Sequence, residues 1–208
     1  MRTYGASTSI FIPCALVLSA LIHAEPSANS VEELQPYLDS EAYEVYAARL
    51  PDEWPWAEAR AKQLVIQQET TVFPKLGSDT ECLPGGDEFP ESWKEVLADY
   101  KKQNERTRVL ARGFVIEKPY YLIPKQELAD LFKKDGPGWN GFYTRYPDSG
   151  GVMQLSVVGF NRERTKAMLY MGHSCGWLCG GGGYSFVQKK DGEWVRAMVK
   201  GVSCYWAS

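Results

Sequence analysis

The hydrophobic and polar positions of this chain change their period once, near residue 150. Before that point apolar side chains recur at helical spacing; after it they alternate with polar ones. In the helical part, Ser30-Val31-Glu32-Glu33 has the form of a capping box. Asp39-Ser40 opens a short helix with Tyr43, Tyr46, Ala47 and Leu50 on one face before Pro51 stops it. Trp54-Pro55-Trp56 reads as a rigid corner leading to a helical piece from Ala57 to about Gln63. Residues 64–73 are rich in β-branched side chains and favour a strand. Residues 74–90, with glycines and prolines around Cys82, read as a loop. The clearest helix begins at Pro90, with Trp93, Val96, Leu97 and Tyr100 at i, i+3, i+4 and i+7. Residues 120–123 predict a short strand, and Pro124 starts a helix carrying Leu128, Leu131 and Phe132. Trp139, Phe142, Tyr143 and Tyr146 predict one more helix, ended by Pro147.

From Gly150 onward the pattern predicts strands at 152–160, 166–172, 183–190 and 193–206. Asp191-Gly192 marks a two-residue hairpin, because both central positions need positive φ. Gly201 marks a bulge or bend in the long last segment. Helices first and strands last predict an α+β domain: N-terminal helices, about 25–147, packed on one face of a curved C-terminal antiparallel β-meander, about 150–208.

The first 24 residues bear on where the protein resides. Arg2, the apolar run from Ile10 to Ile22 and the closing His23-Ala24 have the order of a secretory signal peptide. The run is shorter than the roughly 20 apolar residues a membrane span needs, and Cys14 follows a proline rather than the small residue of a lipid-anchor site. The expected mature chain is 25–208, a single domain that is exported to the periplasm or secreted and has no stable membrane insertion. With a formal net charge of −3 in the full chain and no block of five like charges, no nucleic-acid surface is indicated.

Export decides how the cysteines are read. Of five, Cys14 falls in the leader and Cys82, Cys175, Cys179 and Cys204 remain, an even set that predicts two disulfides with three possible connectivities. Cys175 and Cys179 are four apart and meet only across a tight turn; they are expected to bond to each other, leaving Cys82 for Cys204. Around them runs His173-Ser174-Cys175-Gly176-Trp177-Leu178-Cys179, followed by four glycines and Tyr184. The glycines are expected to supply positive φ for the closed loop.

Each chemistry this stretch suggests has a plainer counterpart. Cys175 and His173 share a strand face and would form an acyl-transfer pair if Cys175 were reduced; oxidation removes it. His173 with Cys175, Cys179 and Cys204 offers a zinc set whose spacing matches no finger or ribbon, so no metal and no cofactor are expected. The glycines enter a strand rather than a helix and lack the lysine of a phosphate loop. A carboxylate pair for glycoside cleavage leaves no mark by which sequence could pick it out.

The segments Ser156-Val157-Val158-Gly159-Phe160-Asn161, Ala167-Met168-Leu169-Tyr170, Cys175-Gly176-Trp177-Leu178-Cys179-Gly180 and Gly192-Glu193-Trp194 resemble a group of uncharacterised exported bacterial proteins. The resemblance covers the last third of the chain most closely. It implies a bacterial envelope or secreted location and brings no activity with it. The leading functional expectation is a non-catalytic exported module. It would bind a protein, peptide or glycan through the disulfide-closed loop around Trp177, with His173 and Tyr184 as further candidate contacts. Its rival is a secreted or periplasmic hydrolase using Cys175 with His173 or an unidentified carboxylate pair.

Overall fold

Asp39 begins the first well-defined helix as its sequence requires. Its carboxylate accepts from the amides of Glu41 and Ala42 at 3.2 and 3.3 Å, satisfying orphan donors of α1, Ser40–Arg49. The computed structural model describes Met1 and residues 34–51, 61–71, 83, 88–202 and 204–208. The leader, the capping box at 30–33, the 54–56 corner and Cys82 lie outside the described residues. Residues 34–208 form one compact unit.

The remaining elements come in chain order. Pro36–Tyr37 is β1 and Gln63–Gln67 is β2; a 3-10 turn at Glu91–Trp93 runs into α2, Lys94–Gln103. Next come β3 (Val109–Leu110), β4 (Tyr120–Ile123), α3 (Lys125–Phe132) and α4 (Gly138–Arg145). The strands β5 (Ser149–Leu155), β6 (Gly159–Phe160), β7 (Lys166–Gly176), β8 (Cys179–Lys190), β9 (Glu193–Arg196) and β10 (Tyr205–Ala207) complete the chain.

The fold is α+β, and its main sheet is mixed. The strand order is β10-β8-β7-β5-β2-β4, with β6 also on β7 and β9 also on β8. All pairings among β5 to β10 are antiparallel. However, β2 runs parallel to both β4 and β5, so the two strands expected within the first half join the main sheet, which is not the purely antiparallel meander expected. β4 and β5 therefore run parallel on either side of β2, and α3 with α4 form the long crossover that joins them. The helical piece expected to reach Gln63 gives way there to β2, where the β-branched content prevails.

Helices also cover both faces rather than one. Along β7, Ala167, Leu169 and Met171 join the cluster built by Ala42, Val45 and Tyr46 of α1. The intervening Met168 and Tyr170 join Val96, Leu97 and Tyr100 of α2. Since successive strand residues point to opposite faces, α1 and α2 sandwich the sheet. A third cluster seats Leu128, Leu131, Phe142 and Tyr146 of α3 and α4 on Val65 and Val152. Val152 is paired with Ser174, which shares the face of Met168 and Tyr170, so α3 and α4 lie on the α2 side.

The Asp191-Gly192 hairpin forms as expected, with φ of 54° and 88° and Lys190 opposite Glu193. The long final segment does not remain one strand. β9 pairs with residues 187–190 of β8 and β10 with residues 181–183. Between them the chain leaves the ladder, held at its ends by Ala197 N–H to Phe186 O at 2.7 Å and Tyr184 N–H to Cys204 O at 3.0 Å. Gly201, at φ 78°, lies inside that excursion. Arg164 grips both oxygens of Asp39 at 2.7 Å and also bonds Glu41, which Lys189 shares. This ties the start of α1 to the β6–β7 turn and to β8.

Candidate functional site

The twelve residues from His173 to Tyr184 fold as the end of the β7–β8 hairpin rather than as a loop. Ser174 pairs with Gly180 and Gly176 with Cys179, leaving Cys175 as an extra residue in β7. That is a β-bulge, which bends and twists a strand end. Trp177 and Leu178 form the two-residue turn. Cys175 and Cys179 are bonded to each other with Cα atoms 5.1 Å apart, as their spacing requires. Cys204 is also disulfide-bonded, while Cys82, its expected partner, lies outside the described residues.

The glycines act differently from expectation. Positive φ occurs at Gly138, Gly151, Gly192 and Gly201 and not at Gly176 or Gly180–Gly183, all of which lie in strands. Their use is close approach. A Cβ on Gly182 would lie 2.6 Å from Tyr170 Oη and 2.8 Å from Trp206 Nε1, the two atoms that hydrogen-bond each other at 2.8 Å. A Cβ on Gly183 would lie 2.5 Å from Cys204 O. The glycine run therefore lets the C-terminal strand and its indole lie directly on β8.

The residues singled out from sequence separate in space. Trp177 is 88% exposed and its neighbour Leu178 is 87% exposed. His173 is 3% exposed, and its Nε2–H donates to Gly150 O at 2.6 Å. Tyr184 is half-buried, its ring centroid 5.6 Å from Tyr100 and 5.7 Å from Tyr170; along β8 it is about 17 Å beyond Cys179, from a rise of ~3.3 Å per residue. Only Trp177 of the three stands in solvent, and His173 and Tyr184 serve the packing behind it. The Cys175–His173 acyl-transfer pair has no thiol, and the Cys3His set has no thiolates at Cys175 or Cys179.

Burial pulls the His173 pKa below its usual value, although the bond to Gly150 O acts the other way. Between that lowered pKa and the unfolded value of about 6.5, the unfolded chain binds a proton that the native chain does not. Stability from this group is therefore fully present above about pH 6.5 and declines as pH falls, by up to ~1.4 kcal/mol per pH unit. Urea midpoints compared between pH 7.5 and pH 5 should fall further for wild type than for His173→Gln. Parallel declines would exclude His173 as the source.

Sequence reasoning missed what stands beside the tip. The Tyr143 hydroxyl donates to Cys175 O at 2.8 Å, fixing the hairpin end to α4. Tyr143 lies 5.8 Å from Trp139 with planes within 29°, and Trp139 lies 4.8 Å from Phe132. Trp139, Phe142, Tyr143 and Tyr146 fall at i, i+3, i+4 and i+7, a stripe that spacing assigns whole to the core, so no signal in the sequence marked Tyr143 as the partner of the tip. Phe142 and Tyr146 are buried, and Trp139 and Tyr143 are half-buried against the same cluster. Among the described residues no helix is long and apolar enough to cross a membrane. Comparison with protein-family models, with curated proteins and with solved structures finds no match for this chain.

Proposed function

We propose that this chain is a non-catalytic binding module that presents Trp177 and Leu178 to a protein, peptide or glycan. The observation that carries the reading is the exposure of these two side chains, 88% and 87%, at the end of a cross-linked hairpin. Large apolar groups left in water cost free energy in the unbound molecule. A disulfide, a bulge and the Tyr143 bond hold this pair in one place, so little ordering remains to oppose association. Aromatic anchors of this kind, once buried against a partner, dominate interface energies. The strands after residue 149 are read as a curved antiparallel platform for the tip, within a single domain spanning 25–208.

Export to a bacterial envelope or beyond accompanies the proposal, supported by the leader-like first 24 residues and by the oxidised state of Cys175, Cys179 and Cys204. Membership of the exported bacterial group rests on the Cys-Gly-x-Leu-Cys-Gly element at 175–180 and the strand segments that flank it.

The test compares wild type with Trp177→Ala on immobilised protein, peptide and polysaccharide panels. Because Trp177 contacts little, the variant should keep its stability within about 0.5 kcal/mol. Wild type should be retained on at least one panel and the variant released from it. Equal retention of both, or retention of neither, would end the reading.

A further inference from the structure

We infer that the cavity between β8 and the excursion after β9 binds an acyl chain ending in a carboxylate, its head group held by Phe186 N–H and Arg196. The site is separate from the hairpin tip and does not depend on it. The cavity measures about 470 Å³ and is lined along β8 from Gly180 to Phe186, about 20 Å of strand at a rise of ~3.3 Å per residue. Its volume is within the range of small-molecule sites. Phe186, Ala197, Met198, Val199 and Val202 give it an apolar wall, and the glycines of β8 put no side chain into it. The covering segment is fixed at both ends and across its middle. Ala197 N–H donates to Phe186 O at 2.7 Å, Tyr184 N–H to Cys204 O at 3.0 Å and Val202 N–H to Val199 O at 3.1 Å. A cavity held open in this way needs little ordering when a ligand enters.

Two features select the occupant. The first is an orphan donor. Had β9 continued, the bond from Ala197 N–H to Phe186 O would be returned by Phe186 N–H to Ala197 O. The chain turns away at Ala197, and no acceptor among the described residues takes that return bond. Phe186 is 6% exposed. Buried backbone donors are rarely left unpaired, and a carboxylate oxygen seated in the gap accepts this one. The second feature is charge. The lining stretches 180–186 and 196–207 contain Arg196 and Lys200 and no Asp or Glu. Arg196 lines the cavity and pairs with Val187, the residue after Phe186, so its cation belongs to the end that carries the orphan donor. The carboxylates of the flanking 3-10 turn and α2 are engaged elsewhere: Glu91 with Lys94 at 2.8 Å, Glu95 with Arg162 at 3.8 Å and Asp99 with the Phe160 amide at 2.8 Å. A carboxylate complements both the donor and the cation, whereas an ammonium group meets only repulsion there. At the rim Met198, unbranched and exposed, adapts to the shape of an apolar chain.

The experiment titrates the full chain with decanoate and with decylammonium, both below the concentrations at which they form micelles. Binding is followed by calorimetry and by amide shifts. Decanoate should bind at least about tenfold more tightly than decylammonium and should move the amides of Phe186 and of residues 197–202. Arg196→Gln should weaken decanoate about tenfold without weakening decylammonium. Val202→Trp, which fills the cavity, should abolish binding of both. Arg196 is exposed, so its variant keeps the fold and carries the test if Val202→Trp does not fold. Trp177→Ala should bind decanoate as wild type does. No decanoate binding at millimolar concentration, equal affinities for the two head groups, or an Arg196→Gln variant that binds as wild type overturns the inference. Loss of decanoate binding in Trp177→Ala, with shifts at residues 174–179, would place the acid at the hairpin tip and overturn it as well.

Discussion

Gly151→Ala is expected to destabilise the protein by about 3 kcal/mol, more than any other single-methyl addition among the glycines of the sheet. Two independent penalties meet at this residue. Its φ is 111°, which side-chain-bearing residues rarely adopt, and a Cβ would sit 2.2 Å from Ser174 O and 2.9 Å from Cys175 Cα. The obstacle is backbone on a paired strand rather than the end of a flexible side chain. The reason lies in the ladder. Gln63 pairs with Ser149 but Val65 pairs with Val152, so β5 carries one extra residue at Gly150–Gly151. Across the sheet, Cys175 is the extra residue of β7. The two bulges face each other, and Gly151 is the point of contact that allows both. In a chain of this size the loss corresponds to a fall in Tm of roughly 6–12 °C. Gly192→Ala is the control: its φ is 88°, but nothing lies within 4 Å of the added carbon, so its cost should be near ~1 kcal/mol. Equal losses for the two variants would show that the close approach contributes nothing.

Neither bulge could be read from the sequence. Gly150-Gly151 announces a break, and the change of period there was visible, but the backbone oxygen that forbids a Cβ belongs to Ser174, on another strand. Helices were legible where one stripe faced one core, as in Trp93, Val96, Leu97 and Tyr100, all of which are buried. The Asp191-Gly192 turn and the Cys175–Cys179 bond were legible because their causes are local. Strand β4 was legible too, but not its pairing: with four residues it shows too little alternation to name a partner, and its parallel neighbour β2 is far away in sequence. The glycine run was misread because sequence gives its permissiveness in φ and hides its other property, the absence of a side chain under Trp206. At the site, Trp177 was legible as a loop-tip indole. Tyr143, which fixes the hairpin end, was not, since helical spacing alone assigned all the aromatics of α4 to the core.

Phe142→Ala should carry the other large effect, about 3–5 kcal/mol, and should reach the site as well as the core. Phe142 is fully buried beneath α4, with the rings of Trp139, Tyr143 and Tyr146 at 5.4, 5.3 and 5.3 Å. It joins Val65, Ile123 and Val152 of three strands in one cluster. Removing it leaves a cavity whose walls are mostly rigid rings and paired strands, which close poorly over lost volume. The residue also sets the height of α4 over the sheet, and with it the reach of Tyr143 to Cys175 O. Tyr143→Phe isolates that last step: it keeps the ring, deletes the hydroxyl and should cost only about 1 kcal/mol. Amide exchange separates the two. In Tyr143→Phe, faster exchange should be confined to the hairpin end near residues 174–179. In Phe142→Ala it should extend through α3, α4 and β5, with the denaturant midpoint falling in proportion. A Phe142→Ala loss below about 1.5 kcal/mol would mean that α4 is held by something other than this ring. Unchanged exchange at the tip in both variants would mean that the disulfide and the bulge position Trp177 without help from the helix.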